Sequence, residues 1–293
     1  MTERLFCFGL GYAGMALARA LVRDGWHATG TRRQADASKD DVAVAVFSGG
    51  TAMANVRELT EATHLLATVP PDSRGDPVLA HHASDIAACG GLRWAGYLST
   101  TGVYGDTGGD WVEESAAPRP TSVEAKRRLA AEAAWLDLGT ARGVPVHVFR
   151  LSGIYGPGRN TFRALRAGTA VRIDKPGHAF SRIHVVDIVS TLRASMACPD
   201  PGAVYNVCDD EPAAAAEVIA YAASLLGRLP PPLVPFERAH LRPRARDFYA
   251  DNRRVSNRRI KDELGVRLCF PSYREGLAAI LAEGGSASAE AGA

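Results

Sequence analysis

The stretch that most constrains the fold lies at the start of the chain. Residues 4–8 form an apolar run, the glycines Gly9, Gly11 and Gly14 follow, and an amphipathic segment extends to Val22. This order predicts a strand, a tight turn and a helix. Gly9 permits the turn, Gly11 lets a ligand approach the backbone, and Gly14 allows close packing of helix and strand.

The start of the predicted helix is suited to bind a pyrophosphate. Its unpaired N–H groups and partial positive charge stabilise an anion without a cationic side chain. We therefore predict a bound nicotinamide dinucleotide, with contacts from Gly9, Gly11, Tyr12, Ala13 and Gly14. The alternative is a glycine turn that serves only the fold.

The residues after the second predicted strand bear on the choice of cofactor. Residues 27–31 predict that strand, and its end carries an Asp or Glu for the ribose 2′-hydroxyl where NAD is preferred. Arg32 and Arg33 follow instead. Arginine forms charge-assisted hydrogen bonds with the 2′-phosphate that a carboxylate would repel. The pair favours NADP(H) over NAD, and the alternative is that both side chains are solvated loop charges.

Strands and helices alternate further along the chain. Apolar runs predict strands at 42–47, 64–68 and 94–99, and a helix is predicted at 78–89. This alternation indicates an α/β fold, a Rossmann-type doubly wound parallel sheet with its ligand at the carboxyl ends of the strands. The loop after the second of these strands should therefore border the cofactor with Thr68, Val69 and Pro70.

Composition excludes several classes of function. The 293 residues carry a formal net charge of +2, and no apolar run approaches the ~20 residues of a membrane-spanning helix. Five cysteines occur without a C-x-x-C pair, the eight histidines lack metal-binding spacing, and the first residues lack a signal-peptide pattern. We expect a cytoplasmic protein with no metal, no nucleic-acid partner and no membrane partner.

Polar side chains that can take part in chemistry occur in the middle of the chain. Thr100 and Thr101 follow the third of these strands, where their hydroxyls can bind a substrate oxygen or simply form a turn. Thr121 and Glu124 have capping-box spacing and predict the start of a long helix that ends near residue 138. Lys126 lies one turn inside this helix.

Several longer motifs extend across the chain: Ser99-Thr-Thr-Gly-Val-Tyr-Gly-Asp106, Phe149-Arg-Leu-Ser-Gly-Ile-Tyr-Gly-Pro-Gly158, Arg182-Ile-His-Val-Val-Asp-Ile188, Tyr205-Asn-Val207, and the closing segment from Leu264 to Leu277. With the glycine motif, they resemble the short-chain dehydrogenase/reductase superfamily, in its extended and atypical, NAD-dependent epimerase/dehydratase-like branch. The resemblance spans nearly the whole chain.

This resemblance implies a catalytic set of a Ser/Thr, a Tyr and a Lys. The Tyr exchanges a proton with the substrate while hydride moves to or from the nicotinamide, and the Lys also holds the nicotinamide ribose. Thr100 matches the Ser/Thr and Lys126 matches the Lys, but Ser122 occupies the Tyr position four residues before the Lys. Serine is a far weaker acid with a shorter side chain, so we do not expect it to replace the Tyr.

Three interpretations follow from this departure. Tyr104 or Tyr155 can supply the acid/base group, or the reaction can use another proton path. In both cases we expect oxidoreduction or epimerisation of a hydroxyl or carbonyl substrate. In the third interpretation, the protein binds NADP(H) without catalysis, as a sensor or regulatory protein.

The resemblance also extends to enzymes of nucleotide sugars, which hold substrate phosphates with arginines in the substrate-side subdomain. Arg244 or Arg246 is the candidate here, and Thr101 and Tyr155 are further candidate substrate contacts. The alternative for the basic residues is a solvated face on a helix predicted at 255–264.

The predicted domains are interleaved. Residues 1–158 and 182–208 form the Rossmann domain, residues 159–181 and 209–282 form a smaller substrate-side subdomain, and residues 283–293 form a disordered tail. The resemblance also implies a homodimer through the long helix at 121–138, although its apolar stripe fits a monomeric core equally well.

Overall fold

The computed structural model describes residues 3–34, 42–241, 246 and 248–290. Within these ranges the strands are β1 (Arg4–Phe8), β2 (His27–Arg32), β3 (Ala43–Val46), β4 (His64–Ala67), β5 (Trp94–Thr100), β6 (Trp111–Val112), β7 (Val146–Leu151), β8 (Gly153–Tyr155), β9 (Arg172–Asp174), β10 (Arg182–His184), β11 (Val204–Val207), β12 (Leu233–Pro235) and β13 (Arg254–Val255). The helices are α1 (Tyr12–Arg23), α2 (Arg57–Thr60), α3 (Pro77–Ala87), α4 (Val123–Arg142), α5 (Phe162–Arg166), α6 (Val185–Ala197), α7 (Ala215–Leu225), α8 (Arg258–Asp262) and α9 (Tyr273–Glu290).

In the described part of the chain, seven strands form the central sheet in the order β11-β7-β5-β4-β1-β2-β3, and every neighbouring pair is parallel. The chain runs outward in one direction from β1 to β3 and in the other from β4 to β11. This is the doubly wound Rossmann arrangement, which confirms the predicted fold. The reversal between β1 and β4 opens a crevice at the carboxyl ends of the strands, where such folds bind ligands.

Both faces of this sheet are covered by helices, as the apolar runs predicted. On one face α1 and α6 pack against β1 through residues such as Leu17 and Ile188. On the other face α3 and α4 contribute Val78, Ile86 and Trp135 to a second buried cluster. Each fully buried aliphatic side chain of this kind contributes roughly 1.5–3 kcal/mol.

The first half of the chain follows the predicted boundaries closely. The strands predicted at 42–47, 64–68 and 94–99 correspond to β3, β4 and β5, and the helix predicted at 78–89 is α3. The long helix differs at its start, because Ser122 and not Thr121 is its N-cap. The Oγ of Ser122 accepts from the Ala125 N–H at 3.1 Å, while the Thr121 hydroxyl donates to Asp251 at 2.8 Å.

One prediction in the second half of the chain is wrong. The helix predicted at 255–264 begins only at Arg258, because Val255 instead pairs with Val112 in a short parallel ladder. The last helix, α9, ends at Glu290. The disordered tail at residues 283–293 stays a prediction. Residues 291–293 lie outside the described residues.

A separate apolar cluster supports the second half of the chain. It joins α5, α7 and α9 through residues that include Phe162, Val218, Ala222, Tyr273 and Leu277. The interleaved division into two domains stays a prediction. Among the described residues, no helix combines the length and the apolar composition that crossing a membrane requires.

Candidate functional site

The glycine turn after β1 is held by close backbone packing. Gly9 has a φ of +97°, and the Thr68 hydroxyl donates to its carbonyl oxygen at 2.7 Å. A Cβ on Gly14 would lie 2.5 Å from that same oxygen. Both positions therefore need glycine so that α1 can start directly beside the end of β1.

Gly11 differs from these two glycines because it faces open space. A Cβ built there meets nothing within 4 Å, and Gly11 is the N-cap of α1 without a side-chain cap. The first N–H groups of α1 therefore remain available to an anion. Open space in front of unpaired N–H groups fits the pyrophosphate of a dinucleotide.

A cleft of about 1070 Å³ opens in front of this turn, at the carboxyl ends of β1, β4, β5 and β7. Gly11, Tyr12, Ala13 and Gly14 line one end of it, and Thr68 lines it at the end of β4. Val69 and Pro70 follow Thr68 in the chain but do not line the cleft. The predicted cofactor contacts around the glycine turn are thus brought together.

Arg32 and Arg33 lie at the end of β2, next to the glycine turn. The Gly9 N–H donates to the Thr31 hydroxyl at 2.9 Å, and the Leu10 N–H donates to the Thr31 carbonyl at 2.8 Å. Arg32 is the last residue of β2, and Arg33 is exposed. The two arginines therefore stand at the edge where a doubly wound sheet receives the adenosine ribose.

Thr100 and Thr101 lie at the end of β5, and both line the cleft. Thr100 is the N-cap of a 3-10 turn over Thr101–Tyr104, and its Oγ1 accepts from the Gly102 N–H at 3.1 Å. The two hydroxyls thus reach the same cleft as the glycine turn.

The start of α4 forms the wall of the cleft opposite the glycine turn. Ser122, Glu124 and Arg128 line the cleft, whereas Lys126 is exposed and does not line it. Residues four apart share a helix face, and a residue two positions away points to the other side. The sequence analysis missed Arg128, although its spacing from Glu124 is visible in the sequence.

Tyr104 lies below the cleft and is held in a buried polar network. Its hydroxyl donates to Asn206 at 2.7 Å and accepts from Arg150 at 2.9 Å. Burial raises the pKa of Tyr104, and Arg150 opposes that shift. Tyr104 does not line the cleft, so this geometry does not support it as a proton donor to a substrate.

The Tyr155 side chain also makes its contacts outside the cleft. Its hydroxyl donates to the Ser272 carbonyl at 3.2 Å, and its ring packs edge-on against His184. Burial raises the pKa of Tyr155, and Asp209 and Asp187 raise it further. Tyr155 does not line the cleft and belongs instead to the apolar cluster of α5, α7 and α9.

Arg246 does not line the cleft, and the role of Arg244 stays a prediction. Arg244 lies outside the described residues, and Arg246 is exposed with its guanidinium 5.6 Å from the centre of the Phe236 ring. Arg253 lines the cleft instead, where it donates to the Gly105 carbonyl at 2.9 Å and pairs with Asp251 at 3.0 Å. Arg159 lines the cleft near Tyr12.

The end of the cleft away from the glycine turn has an aromatic wall. The rings of Phe180 and Phe248 stack with centroids 4.3 Å apart, and both residues line the cleft. Phe248 is 56% exposed, so its ring is accessible to a ligand in the cleft. Among the described residues, no group of three His, Cys, Asp or Glu side chains could hold a metal ion.

No protein-family model matches the chain. The protein YeeZ of Escherichia coli K12 is 29% identical over 257 residues, which cover 78% of this chain and 86% of YeeZ. A 3-diazoavenalumate denitrifying reductase from a Streptomyces species is 28% identical over 283 residues, which cover 88% of this chain and 90% of the reductase.

Solved structures have the same fold. MoeE5 in complex with UDP-glucuronic acid and NAD is 21% identical, has a TM-score of 0.77, and matches over 97% of this chain and all of its own. A conserved protein of unknown function from Silicibacter pomeroyi DSS is 49% identical, has a TM-score of 0.89, and covers 96% of this chain and 99% of its own. The chain therefore belongs to the same family as the Silicibacter pomeroyi protein and has the Rossmann fold of the NAD-dependent epimerase/dehydratase-like members of the short-chain dehydrogenase/reductase superfamily.

Proposed function

We propose that the protein is a nicotinamide-dinucleotide-dependent enzyme that oxidises, reduces or epimerises a hydroxyl or carbonyl substrate. The observation that carries this proposal is a single cleft that is continuous from the glycine turn to the hydroxyls of Thr100 and Thr101. A dinucleotide bound along this cleft has its pyrophosphate at Gly11 and its nicotinamide near the end of β5.

Different residues along the cleft bind different parts of the cofactor and the substrate. The N–H groups at the start of α1 hold the pyrophosphate, and Thr100 offers a hydroxyl to the substrate oxygen. When bound, the nicotinamide supplies or accepts a hydride. The aromatic wall of Phe180 and Phe248 suits an apolar part of a small substrate, and Arg253 suits an anionic group on it.

The preferred cofactor of this proposal is NADP(H). Arg32 and Arg33 support it, because guanidinium groups at the end of β2 can bind the 2′-phosphate. Arg32→Asp and Arg33→Asp should each weaken NADPH binding at least tenfold and leave NADH binding nearly unchanged. Arg142→Asp, at the far end of α4, is the matched control. Equal losses of NADPH and NADH binding would contradict the preference.

Within this proposed function, a nucleotide sugar is the more specific substrate class that we propose. MoeE5, of the same fold, binds UDP-glucuronic acid, which joins a sugar to a diphosphate. Arg159 and Arg253 in the cleft supply the positive charge such a substrate requires. The similarity to a denitrifying reductase supports reduction as the reaction type.

A second candidate, a non-catalytic NADP(H)-binding sensor or regulatory protein, is favoured by one observation. Ser122, which occupies the expected tyrosine position, serves as the N-cap of α4, and neither Tyr104 nor Tyr155 lines the cleft. A homodimer through α4 and a cytoplasmic location stay predictions.

The two candidates are separated by a hydride-transfer assay. The purified protein is incubated either with NADPH and a panel of aldehydes and ketones, or with NADP⁺ and a panel of alcohols and nucleoside-diphosphate sugars. The change in NADPH fluorescence is followed, and the sugars are checked for epimerised product. An enzyme gives a substrate-dependent change or product that disappears in Gly11→Ala. Tight NADPH binding with no hydride transfer in either direction and no epimerised product would contradict the enzyme proposal and favour the sensor.

A further inference from the structure

The first turns of α4 present two charged side chains to the cleft. Glu124 and Arg128 are one helical turn apart and both line the cleft, while Lys126 between them does not. Buried residues on the same helix fix this rotation, because Glu132 receives hydrogen bonds from Ser99 and Arg150. The helix cannot turn Lys126 into the cleft without removing Glu132 from these partners.

Arg128 is anchored at the end of β5. Its Nη1 donates to the Leu98 carbonyl at 2.7 Å and to the Tyr97 hydroxyl at 3.2 Å. Its Nε and Nη2 make no hydrogen bond within the described part of the chain, so they remain free to donate to a ligand in the cleft. A fixed guanidinium therefore lines the same cleft as Thr100 and Thr101.

Glu124 is the acid/base group that the cleft leaves available. Among the described lining residues, the titratable side chains are those of Tyr12, Glu124, Arg128, Arg159, Asp251 and Arg253. Arginines stay protonated in proteins and do not exchange protons. The choice therefore lies between Tyr12, Asp251 and Glu124.

Tyr12 and Asp251 are both committed to partners. The Tyr12 hydroxyl donates to the Pro157 carbonyl at 2.8 Å and lies at the pyrophosphate end of the cleft. One oxygen of Asp251 accepts from Thr121, and the other pairs with Arg253. Glu124 is exposed to the cleft, and its carboxylate has no hydrogen-bond partner among the residues the structure describes.

We propose that Glu124 is the catalytic group that exchanges the proton with the substrate oxygen, and that Arg128 holds that oxygen or the nicotinamide ribose in place of a lysine. This inference rests on the proposed function and specifies how its site works without a tyrosine. The pair occupies the positions that face the cleft, four residues apart, which is the spacing the resemblance implies for the Tyr and the Lys.

In the oxidation of an alcohol, the carboxylate of Glu124 removes the hydroxyl proton, and the C–H bond of the hydroxyl-bearing carbon breaks. The hydrogen and the electron pair of that bond pass as hydride to the oxidised nicotinamide while the C=O bond forms. The substrate is oxidised, the nicotinamide is reduced, and Glu124 passes its proton to water. Carbonyl reduction is the reverse, with the proton returned from Glu124.

The test compares Glu124→Gln with Asp137→Asn, which removes the same charge from an exposed position farther along α4. Glu124→Gln should bind NADPH within about threefold of the parent and lose roughly 10²–10⁴-fold in turnover. The turnover that remains in Glu124→Gln should no longer change with pH in the acid range. Glu124→Asp should recover part of the activity. Asp137→Asn should match the parent in binding and turnover.

A second pair of variants tests Arg128. Arg128→Gln should weaken NADPH binding or raise the substrate KM, while Lys126→Gln should leave NADPH binding and KM unchanged. Turnover of Glu124→Gln within threefold of the parent, with the pH profile unchanged, would overturn the role of Glu124 while the proposed function stands. Binding lost in Lys126→Gln and retained in Arg128→Gln would overturn the role of Arg128. A parent that binds NADPH but transfers no hydride would overturn the proposed function itself, and with it this role.

Discussion

Glu132 and Arg150 form a buried ion pair directly beneath the cleft. Their side chains are 3% and 7% exposed, and the Nη2 of Arg150 lies 2.8 Å from the Oε2 of Glu132. Burial alone would lower the pKa of Arg150, but the hydrogen bonds and charge of Glu132 raise it. Ser99 donates to the same carboxylate from the end of β5, so the pair joins α4 to the strands that carry the site.

Removal of one partner of this pair should destabilise the protein strongly. Glu132→Gln leaves the Arg150 guanidinium buried without its counter-charge, which costs roughly 3–5 kcal/mol. Urea denaturation measures the loss of the free energy of unfolding. The exposed Asp137→Asn on the same helix should change it by no more than about 0.5 kcal/mol. A loss below about 1 kcal/mol in Glu132→Gln would contradict this account of the pair.

Gly11 should be needed for cofactor binding but not for folding. A Cβ at Gly11 meets nothing within 4 Å, so Gly11→Ala should lower the free energy of unfolding by no more than about 1 kcal/mol, the cost of a poorer N-cap. The added methyl group occupies the space of the pyrophosphate, and NADPH binding should weaken at least tenfold. Gly90→Ala is the matched control, because a Cβ there also meets nothing. Normal NADPH binding by Gly11→Ala would contradict the position assigned to the pyrophosphate.

Tyr104→Phe distinguishes a structural tyrosine from a catalytic one. The change leaves Asn206 and Arg150 without one hydrogen bond each, and it should lower the free energy of unfolding by about 1–3 kcal/mol. Turnover at a temperature where the variant is folded should fall by less than about tenfold. A loss of 10²-fold or more with stability unchanged would instead support proton transfer by Tyr104.

Asp209 should make the stability depend on pH. Asp209 is 1% exposed, and neither of its carboxylate oxygens has a hydrogen-bond partner within the described residues. Burial raises the pKa of Asp209 to about 8, and Arg182 opposes the shift. The folded protein thus binds this proton more tightly than the unfolded chain, whose Asp pKa is about 3.9. The contribution is fully present below about pH 4 and is lost as the pH rises through about 8.

The measurement is urea denaturation of the parent and Asp209→Asn at about pH 6 and about pH 8. The free energy of unfolding of the parent should fall relative to the variant by up to about 1.4 kcal/mol for each pH unit in this interval. Parallel pH dependences of the two proteins would show that Asp209 is ionised throughout, contrary to its buried setting.

The sequence predicted the parts of the site that depend on local backbone chemistry. The turn at Gly9 and the strand at β5 were predicted because glycine spacing and apolar runs act within a few residues. Arg128 was missed because its orientation depends on where α4 begins and on the contact between Glu132 and Arg150. Lys126 and Arg128 are two residues apart and therefore lie about 200° apart around the helix axis, so only one of them faces the cleft.

The two candidate tyrosines show the same limit of prediction from local sequence patterns. Tyr104 and Tyr155 lie within motifs whose other residues line the cleft, and sequence position alone made them candidates. Their hydroxyls are bound by Asn206 and Ser272, residues more than 100 positions away in the chain. Contacts of this range follow from the completed sheet and the packing of α9, which no local pattern encodes.

The most direct test of the account is a fluorescence titration of the purified protein with NADPH and then with NADH. Saturable binding of NADPH, at least tenfold tighter than that of NADH, is the predicted result. It would establish the cleft in front of Gly11 as a dinucleotide site when the same titration fails with Gly11→Ala. Failure of the folded parent protein to bind either nucleotide would contradict the central claim.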